Sequence, residues 1–314
     1  MNERTMTNRA GAGALACCLA LTLGAGAARA EDPTRVKWSD DWPRVRTVEL
    51  VNIAGLTVAS IAIAGLWDPP SSASWHQPIL FDNWARGLLR GHTNNAQSTA
   101  ADISDILYKG AVFAPYLIDV YFVTLGVHEN SDVGVQMLLI NLQSLGITGV
   151  VSLGVERAIG RSRPYVRDCG PDGKVRSASG EVLLNSCGTD GDFQSFYSGH
   201  AAATATTAGL TCAHHQHLPL YGGGIADLTP CVLMIGVSAV TGVSRMVADR
   251  HWASDVLVGW SVGAFSGYVL PSLLHYGFGN GRPVGELAFG TARAVPVVAV
   301  HPGGAIIGLA GALP

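Results

Sequence analysis

Six apolar stretches limit what this chain can fold into more than any other feature. They lie at about 51–67, 111–127, 137–157, 200–213, 231–244 and 255–274. Each is long enough for a helix and too long for an ordinary strand, so the expected class is all-α, a bundle of six helices. Between the first two, 69–74 reads as a loop and 83–109 as a polar amphipathic helix. Its acids Asp102 and Asp105 read as caps or surface groups. After the last stretch the pattern changes. Residues 294–300 and 305–313, separated by His301-Pro302-Gly303-Gly304, read as two strands and a turn, so 281–314 is expected to be a C-terminal β-hairpin tail.

The chain begins with a different signal. Arg4 and Arg9, an apolar run from Ala10, and Ala28-Arg29-Ala30 before Glu31 make 1–30 an export signal peptide. Cys17 and Cys18 fall within it. The next segment, 31–50, is polar, carries Pro33, Trp38, Trp42 and Pro43, and reads as an irregular lead-in to a helical domain over 51–280.

Charged residues make up only 14% of the 314 and the net charge is −3, which gives no electrostatic footing for nucleic acid. The low charge raises the question of a membrane, and the apolar stretches do not answer it. A bilayer span needs about 20 mostly apolar residues. Several stretches are shorter or hold Asp119, Asn141, Gln143, Thr204, Thr206 and Thr207. That pattern also suits buried helices of a soluble bundle. Cysteines tip the balance. Beyond the signal there are four, and an exported chain with an even number invites disulfides Cys169–Cys187 and Cys212–Cys231. Cys212 lies 14 residues of helix from Ser198, about 21 Å at 1.5 Å per residue, so the two bonds would sit at opposite ends of the bundle. Both ends would then see an oxidising compartment. The expectation is an exported protein of the periplasm or envelope, soluble or peripheral rather than integral to the inner membrane.

Three segments carry chemistry. In 244–255, Arg245, His251 and Asp255 stand in the spacing Arg-x5-His-x3-Asp. Were the chain helical from about Arg250, His251 and Asp255 would share a face, with the carboxylate orienting the imidazole. Ser198-Gly199-His200 precedes an Ala/Thr-rich run, placing a hydroxyl, a bare amide and an imidazole at a helix N-terminus, where anions are favoured. Upstream, Arg157, Arg161 and Arg163 crowd a helix end that Pro164 would terminate. Together these form an inventory for handling phosphate. His214, His215 and His217 form a further cluster; a metal site there is weighed against a solvated loop, and the loop is preferred.

These segments resemble the three motifs of the type 2 phosphatidic acid phosphatase (PAP2) superfamily, which also holds bacterial acid phosphatases and vanadium haloperoxidases. Its pattern is Lys-x6-Arg-Pro, Pro-Ser-Gly-His, then Ser-Arg-x5-His-x3-Asp. The third motif is complete at Ser244, Arg245, His251 and Asp255. The second has Ser198, Gly199 and His200, with Tyr197 in the place of proline. The first has Arg163 and Pro164, with Glu156 in the place of lysine and Arg157 one residue on as a substitute cation. The likeness covers roughly 105–275.

It implies hydrolysis of a phosphate monoester, either a lipid phosphate such as phosphatidic acid or a small soluble ester, without a metal. His251 would be the nucleophile forming a phosphohistidine, Asp255 its orienting partner, and His200 the acid and then the base. Arg163, Arg245, Ser198 and Gly199 would cradle the phosphate, with Arg157 as an added contact. Two alternatives stand beside it: a haloperoxidase, for which vanadate would be the cofactor, and a non-catalytic envelope scaffold binding lipid or anion. Oligomeric state and leaving group are left open.

Overall fold

The structure, a computed structural model, describes residues 36–277, 287–289, 292–301 and 304–312. The expected signal peptide and the turn at 302–303 lie outside the described residues. The chain is mostly helical. Its helices are α1 (Thr47–Leu66), the short α2 (Asp82–Leu89), α3 (Asn94–Ala114, continuing as wider π-type turns over Pro115–Val127), α4 (Ser131–Ile159), α5 (Gly199–His217), α6 (Ile225–Val247) and α7 (Ala253–Ala264, continuing in π-type turns to Tyr276). The long helices alternate in direction. One end collects the connections 67–81, 90–93, 160–198 and 248–252, tied by Ser74 N–H to Gly160 O (3.0 Å) and Gly91 N–H to Val247 O (2.9 Å). The other collects the lead-in, 128–130, 218–224 and the end of α7. There the His128 ring donates to Leu220 O (2.7 Å) and the His275 ring to Pro43 O (3.0 Å).

Burial runs opposite to that of a water-soluble bundle. On α1, Val48, Val51, Val58 and Ile61 are all about two-thirds exposed, and Ile106, Phe113, Phe122, Ile225 and Val232 stand equally open on α3 and α6. The interior holds Asn141, Gln143, Ser144 and Thr148 of α4 and Thr204, Thr206, Thr207 and Thr211 of α5. Five segments are long and apolar enough to cross a bilayer: Thr47–Leu66, Asn94–Val127, Ser131–Ile159, Ile225–Val247 and Ala253–Tyr276. In water, such a rind of exposed aliphatic side chains would drive association; in hydrocarbon it is the solvated face, and polar groups turn inward to find partners. The chain is therefore an integral membrane protein, and the expectation of a soluble or peripheral one is overturned. Both expected disulfides are present, with Cα–Cα separations of 6.1 Å for Cys169–Cys187 and 4.5 Å for Cys212–Cys231. The inference from them went wrong because Cys212 and Cys231 lie inside α5 and α6, not in the connection 218–224. A bond between two helices within the bundle says nothing about water at its end.

The packing uses small residues. α5 runs up the middle against α3, α4, α6 and α7. Along α7, Gly259, Gly263 and Gly267 recur every four residues and face α5. A Cβ on Gly259 would stand 2.6 Å from Ser198 O, so α7 can approach the N-terminus of α5 only with glycine there. Buried threonines on these helices return their hydroxyls to backbone carbonyls of the preceding turn, as Thr206 does to Ala202 O (2.9 Å), and Thr148 and Thr206 also meet each other (2.8 Å).

Several local boundaries differ from expectation. The polar helix expected over 83–109 is two helices broken at 90–93. The second runs through Pro115, whose missing N–H is accommodated by the wider turns that follow. α4 ends earlier than Pro164, at Gly160, whose left-handed conformation (φ 59°, ψ 42°) caps it. α1 starts within the expected lead-in. The rest of that lead-in is packed rather than loose: Trp38 and Trp42 lie against Tyr276, with centroids 5.3 and 5.1 Å away. Within 160–198, β1 (Val175–Arg176) pairs antiparallel with β2 (Val182–Leu184), a hairpin the sequence did not suggest. At the C-terminus, β4 (Ala292–His301) pairs antiparallel with β5 (Gly304–Ala312), with Val298 opposite Ile307. A third strand, β3 (Leu287–Phe289), pairs with β4.

Candidate active site

The connections at one end bring the three motifs together. Ser198 caps α5: its hydroxyl accepts from Ala201 N–H (3.4 Å), and its own N–H donates to Asp255 O (3.1 Å). This leaves the first-turn amides of α5, beginning at Gly199, facing the site with the positive end of the helix dipole. Gly199 is required by the approach of α4, since a Cβ there would meet Ser152 Oγ at 2.9 Å and Glu156 Oε1 at 3.3 Å.

His251 is buried in the turn between α6 and α7. Its Nδ1 lies 2.8 Å from Ser195 O. A carbonyl can only accept, so Nδ1 carries the proton, and in the neutral ring the lone pair is on Nε2. Burial, with Arg163 and Arg245 nearby, holds the imidazole well below its ordinary pKa, so the ring is neutral at physiological pH. Nε2 has no protein partner among the described residues. An oriented neutral imidazole with an open lone pair is a nucleophile.

The expected orienting contact is not direct. α7 begins at Ala253, so His251 precedes the helix and shares no helical face with Asp255, and Asp255 Oδ2 is 4.0 Å from His251 Nδ1. Asp255 instead accepts from Trp252 N–H (2.9 Å) and Ser195 Oγ (2.6 Å) and pairs with Arg161. It thus positions His251 at one remove: it holds Ser195, whose carbonyl holds the ring. Arg161 is fully buried, also pairs with Asp82 (2.7 Å), and lies 4.0 Å over the Trp75 ring. Asp82 in turn accepts from Ser254 N–H (2.9 Å). An ion triad of two carboxylates and one guanidinium, closed off from solvent, locks the base of the site.

Two arginines lie within electrostatic reach of His251. Arg163 is fixed by its Nε to Gly191 O (2.8 Å) and Nη1 to Arg250 O (3.1 Å). Burial lowers its pKa, which still leaves a guanidinium charged. Arg245 donates through Nη1 to Ser104 Oγ and Asp105 Oδ1 (both 3.2 Å), and its buried Nε has no partner. An unpaired, buried guanidinium donor in a site is a place for an anion. Arg157 does not join them: its Nε donates to Trp67 O (2.7 Å) at the end of α1. Glu156, in contrast, is among them, within electrostatic reach of Arg163 and Arg245.

Asp105 is the residue that sequence reasoning set aside. It meets the Nε2 of His200 at 2.9 Å as well as Arg245, and Tyr108, one residue short of a turn further, lies 4.5 Å from the His200 ring. Burial, with Arg245 nearby, lowers the His200 pKa to about 4, and the Asp105 carboxylate offsets part of that fall. The available signal was the helix itself: had 94–127 been read as one span, Asp105 would have stood near its start, at the depth of the motifs.

The histidine cluster is elsewhere and is not a solvated loop. His214, His215 and His217 lie on the last turns of α5 at the opposite end, where His214 meets Tyr276 Oη (2.7 Å) and Asn141 Oδ1 (2.8 Å). An apolar cleft of about 940 Å³ also lies in that half, lined by Ala205, Gly209, Ile235, Trp260 and Tyr268, and touches none of the motif residues.

A neutral histidine with one open nitrogen, a second histidine beside a carboxylate, and two arginines gather near a helix N-terminus at one end of an integral membrane bundle. Residues 137–278, which span all three motifs, match the PAP2 superfamily, whose members are mostly lipid phosphate phosphatases, and this part of the chain belongs to it. Among solved structures, it is similar to the transmembrane PAP2-type phosphatidylglycerolphosphate phosphatase from Bacillus subtilis, with 17% identity and a TM-score of 0.41, over 72% of this chain and 91% of that one. No curated protein matches the chain.

Proposed function

We propose that this chain is a phosphatase that hydrolyses a lipid phosphate monoester through a phosphohistidine on His251. The observation that carries the reading is the His251 ring: Nδ1 is tied to a carbonyl, leaving Nε2 without a partner among the described residues, with Arg163 and Arg245 in electrostatic reach. Nε2 attacks phosphorus while the P–O bond to the alcohol breaks. His200, held by Asp105, gives its proton to the leaving oxygen. Water then enters, His200 takes its proton, the N–P bond breaks and orthophosphate leaves. Arg163, Arg245 and the amides at Gly199 bind the non-bridging oxygens, which is where charge must be held during transfer. A lipid substrate is favoured over a soluble one because the site sits at the end of a bundle whose flanks are exposed and apolar, at the depth of lipid head groups.

The test is phosphate release by the purified chain from micellar phosphatidic acid and from p-nitrophenyl phosphate, with chelator present and His251→Ala as the blank. Release that requires His251 and favours the lipid supports the reading. Release of neither phosphate, or equal release by the blank, contradicts it.

A further inference from the structure

The apolar cleft in the other half of the bundle takes no part in the proposed reaction. Its shape follows from how α6 and α7 leave the turn at 248–252. Close to that turn they touch through a glycine: a Cβ on Gly242 would stand 2.4 Å from Trp260 Cζ2, and the Trp260 indole donates to Ser238 O (3.2 Å). Beyond Trp260 the two helices draw apart over α5, and the gap between them is the cleft of about 940 Å³. Ala205, Ala208 and Gly209 of α5 form its floor, with Ala239 and Ala264 on the two walls. The disulfide Cys212–Cys231 lies in one wall and fixes α6 to α5, which holds that wall in place. On the rim, Leu228 and Ile235 are 52% and 54% exposed, so the cleft opens on the flank that faces hydrocarbon. Polar groups stand only at its far end, where Gln216 Oε1 accepts from Tyr268 Oη (2.7 Å) beside the buried His215–Asp227 pair.

We infer that this cleft is a lipid site, holding one acyl chain of a phospholipid from the leaflet opposite the active site. The length fits. From Asp227 to Ser238 the cleft follows α6 for about 16 Å at 1.5 Å per residue. That is half of the ~30 Å hydrocarbon core, the depth of one leaflet. The polarity runs in the matching direction: closed and apolar at Trp260, inside the bundle, and polar at the end of α5, where a head group would leave hydrocarbon. Width decides against a helix of a second copy. The volume spread over that length gives a channel about 8 Å across, narrower than a helix with its side chains at about 10–12 Å. An extended hydrocarbon chain enters where a helix does not. Water is a poor filler, since the alanine and glycine lining offers it no hydrogen-bond partners. An acyl chain restores the dispersion contacts that the parted helices lose. The site stands apart from the chemistry at the other end and does not depend on it.

The experiment places the full chain in phosphatidylcholine vesicles containing a fraction of phosphatidylcholine with a diazirine at the end of one acyl chain. Light expels dinitrogen, the carbene inserts into its neighbours, and mass mapping locates the label. Bulk lipid labels every exposed face, and that of α1, with Val51, Val58 and Ile61, serves as the reference. Label should be enriched over α1 on the order of tenfold at Ile235–Ala239 and Trp260–Ala264. With the diazirine moved close to the head group, the enrichment should shift towards Leu228. Ala239→Phe combined with Ala264→Phe, both at exposed positions on the walls, should fill the cleft, remove the enrichment and leave α1 labelled as before. Even labelling in the wild type, or enrichment that survives in the filled variant, would overturn the inference. Less label in the cleft than on α1 would place a second copy there, with the same consequence. A shift in the opposite direction along α6 would put the lipid in the other leaflet and contradict the assignment. Should the variant fail to insert, which an unlabelled α1 reports, the two wild-type distributions decide alone.

Discussion

Each end of the bundle holds a buried histidine beside buried aspartates, yet the three motifs gather at only one end. At the far end, His215 Nδ1 meets Asp227 Oδ1 at 2.6 Å and its Nε2 faces Asp119 Oδ1 at 3.4 Å. The aspartates are satisfied in turn: Asp119 by Tyr221 Oη (3.1 Å), Asp227 by the amides of Tyr221 (3.0 Å) and Gly223. Both ring nitrogens are turned to acids, which raise the pKa of the ring and favour its protonated form. That cluster ties 218–224 to α3 and α6. At the site end, His251 gives one nitrogen to a carbonyl and keeps the other open, near Arg163 and Arg245, the latter with a buried Nε that has no partner. A residue inventory does not distinguish the two ends; the charge around each ring does, carboxylates at His215 and guanidinium groups at His251.

The comparison can be broken in graded ways. His251→Ala should remove turnover altogether, by about 10⁴-fold or more, measured as phosphate release; substantial residual activity would contradict the nucleophile assignment. His200→Ala should lower kcat by about 10²–10⁴-fold, more for an alkyl phosphate than for p-nitrophenyl phosphate, whose leaving group needs little protonation. Equal losses on both would remove His200 as the acid. Arg245→Ala should cost about 10²–10³-fold in kcat/KM, whereas Arg157→Ala should leave the Michaelis constant unchanged. Asp105→Asn should lower kcat on the order of tenfold and shift the pH profile, because it weakens support for the His200 proton; an unchanged profile would make Asp105 a mere surface contact. At the far end, His215→Ala should lower the thermal unfolding midpoint and leave kcat alone. A kcat loss at unchanged stability would show that the two ends are coupled.

What could be read in the sequence follows from how each feature is built. The motif residues were legible because the chemistry needs them within a few positions of one another: Ser198 to His200 share one helix start, and Arg245, His251 and Asp255 share one turn. Asp105 was not, since it reaches His200 from 95 residues away. Nor was the triad of Arg161, Asp82 and Asp255, since nothing local tells a buried arginine from the two on either side of it. The same holds for the carbonyl of Ser195, as a backbone group leaves no mark in the sequence. The helices were legible from their apolar runs. Their solvent was not, because Asn141, Gln143 and the threonines of α5 read locally as interruptions of an apolar run, while in the bundle they are buried. In a membrane bundle, polar interruptions mark the interior.

The most direct test of the central claim is to trap the covalent intermediate. The chain is mixed with a phosphate monoester, quenched rapidly in base, where a phosphohistidine survives, and digested for mass mapping. The account predicts a phosphoryl group on the peptide bearing His251, absent from His251→Ala and accumulating when His200 is replaced. A phosphoryl group on any other residue, or steady turnover with no phosphorylated peptide, would contradict it.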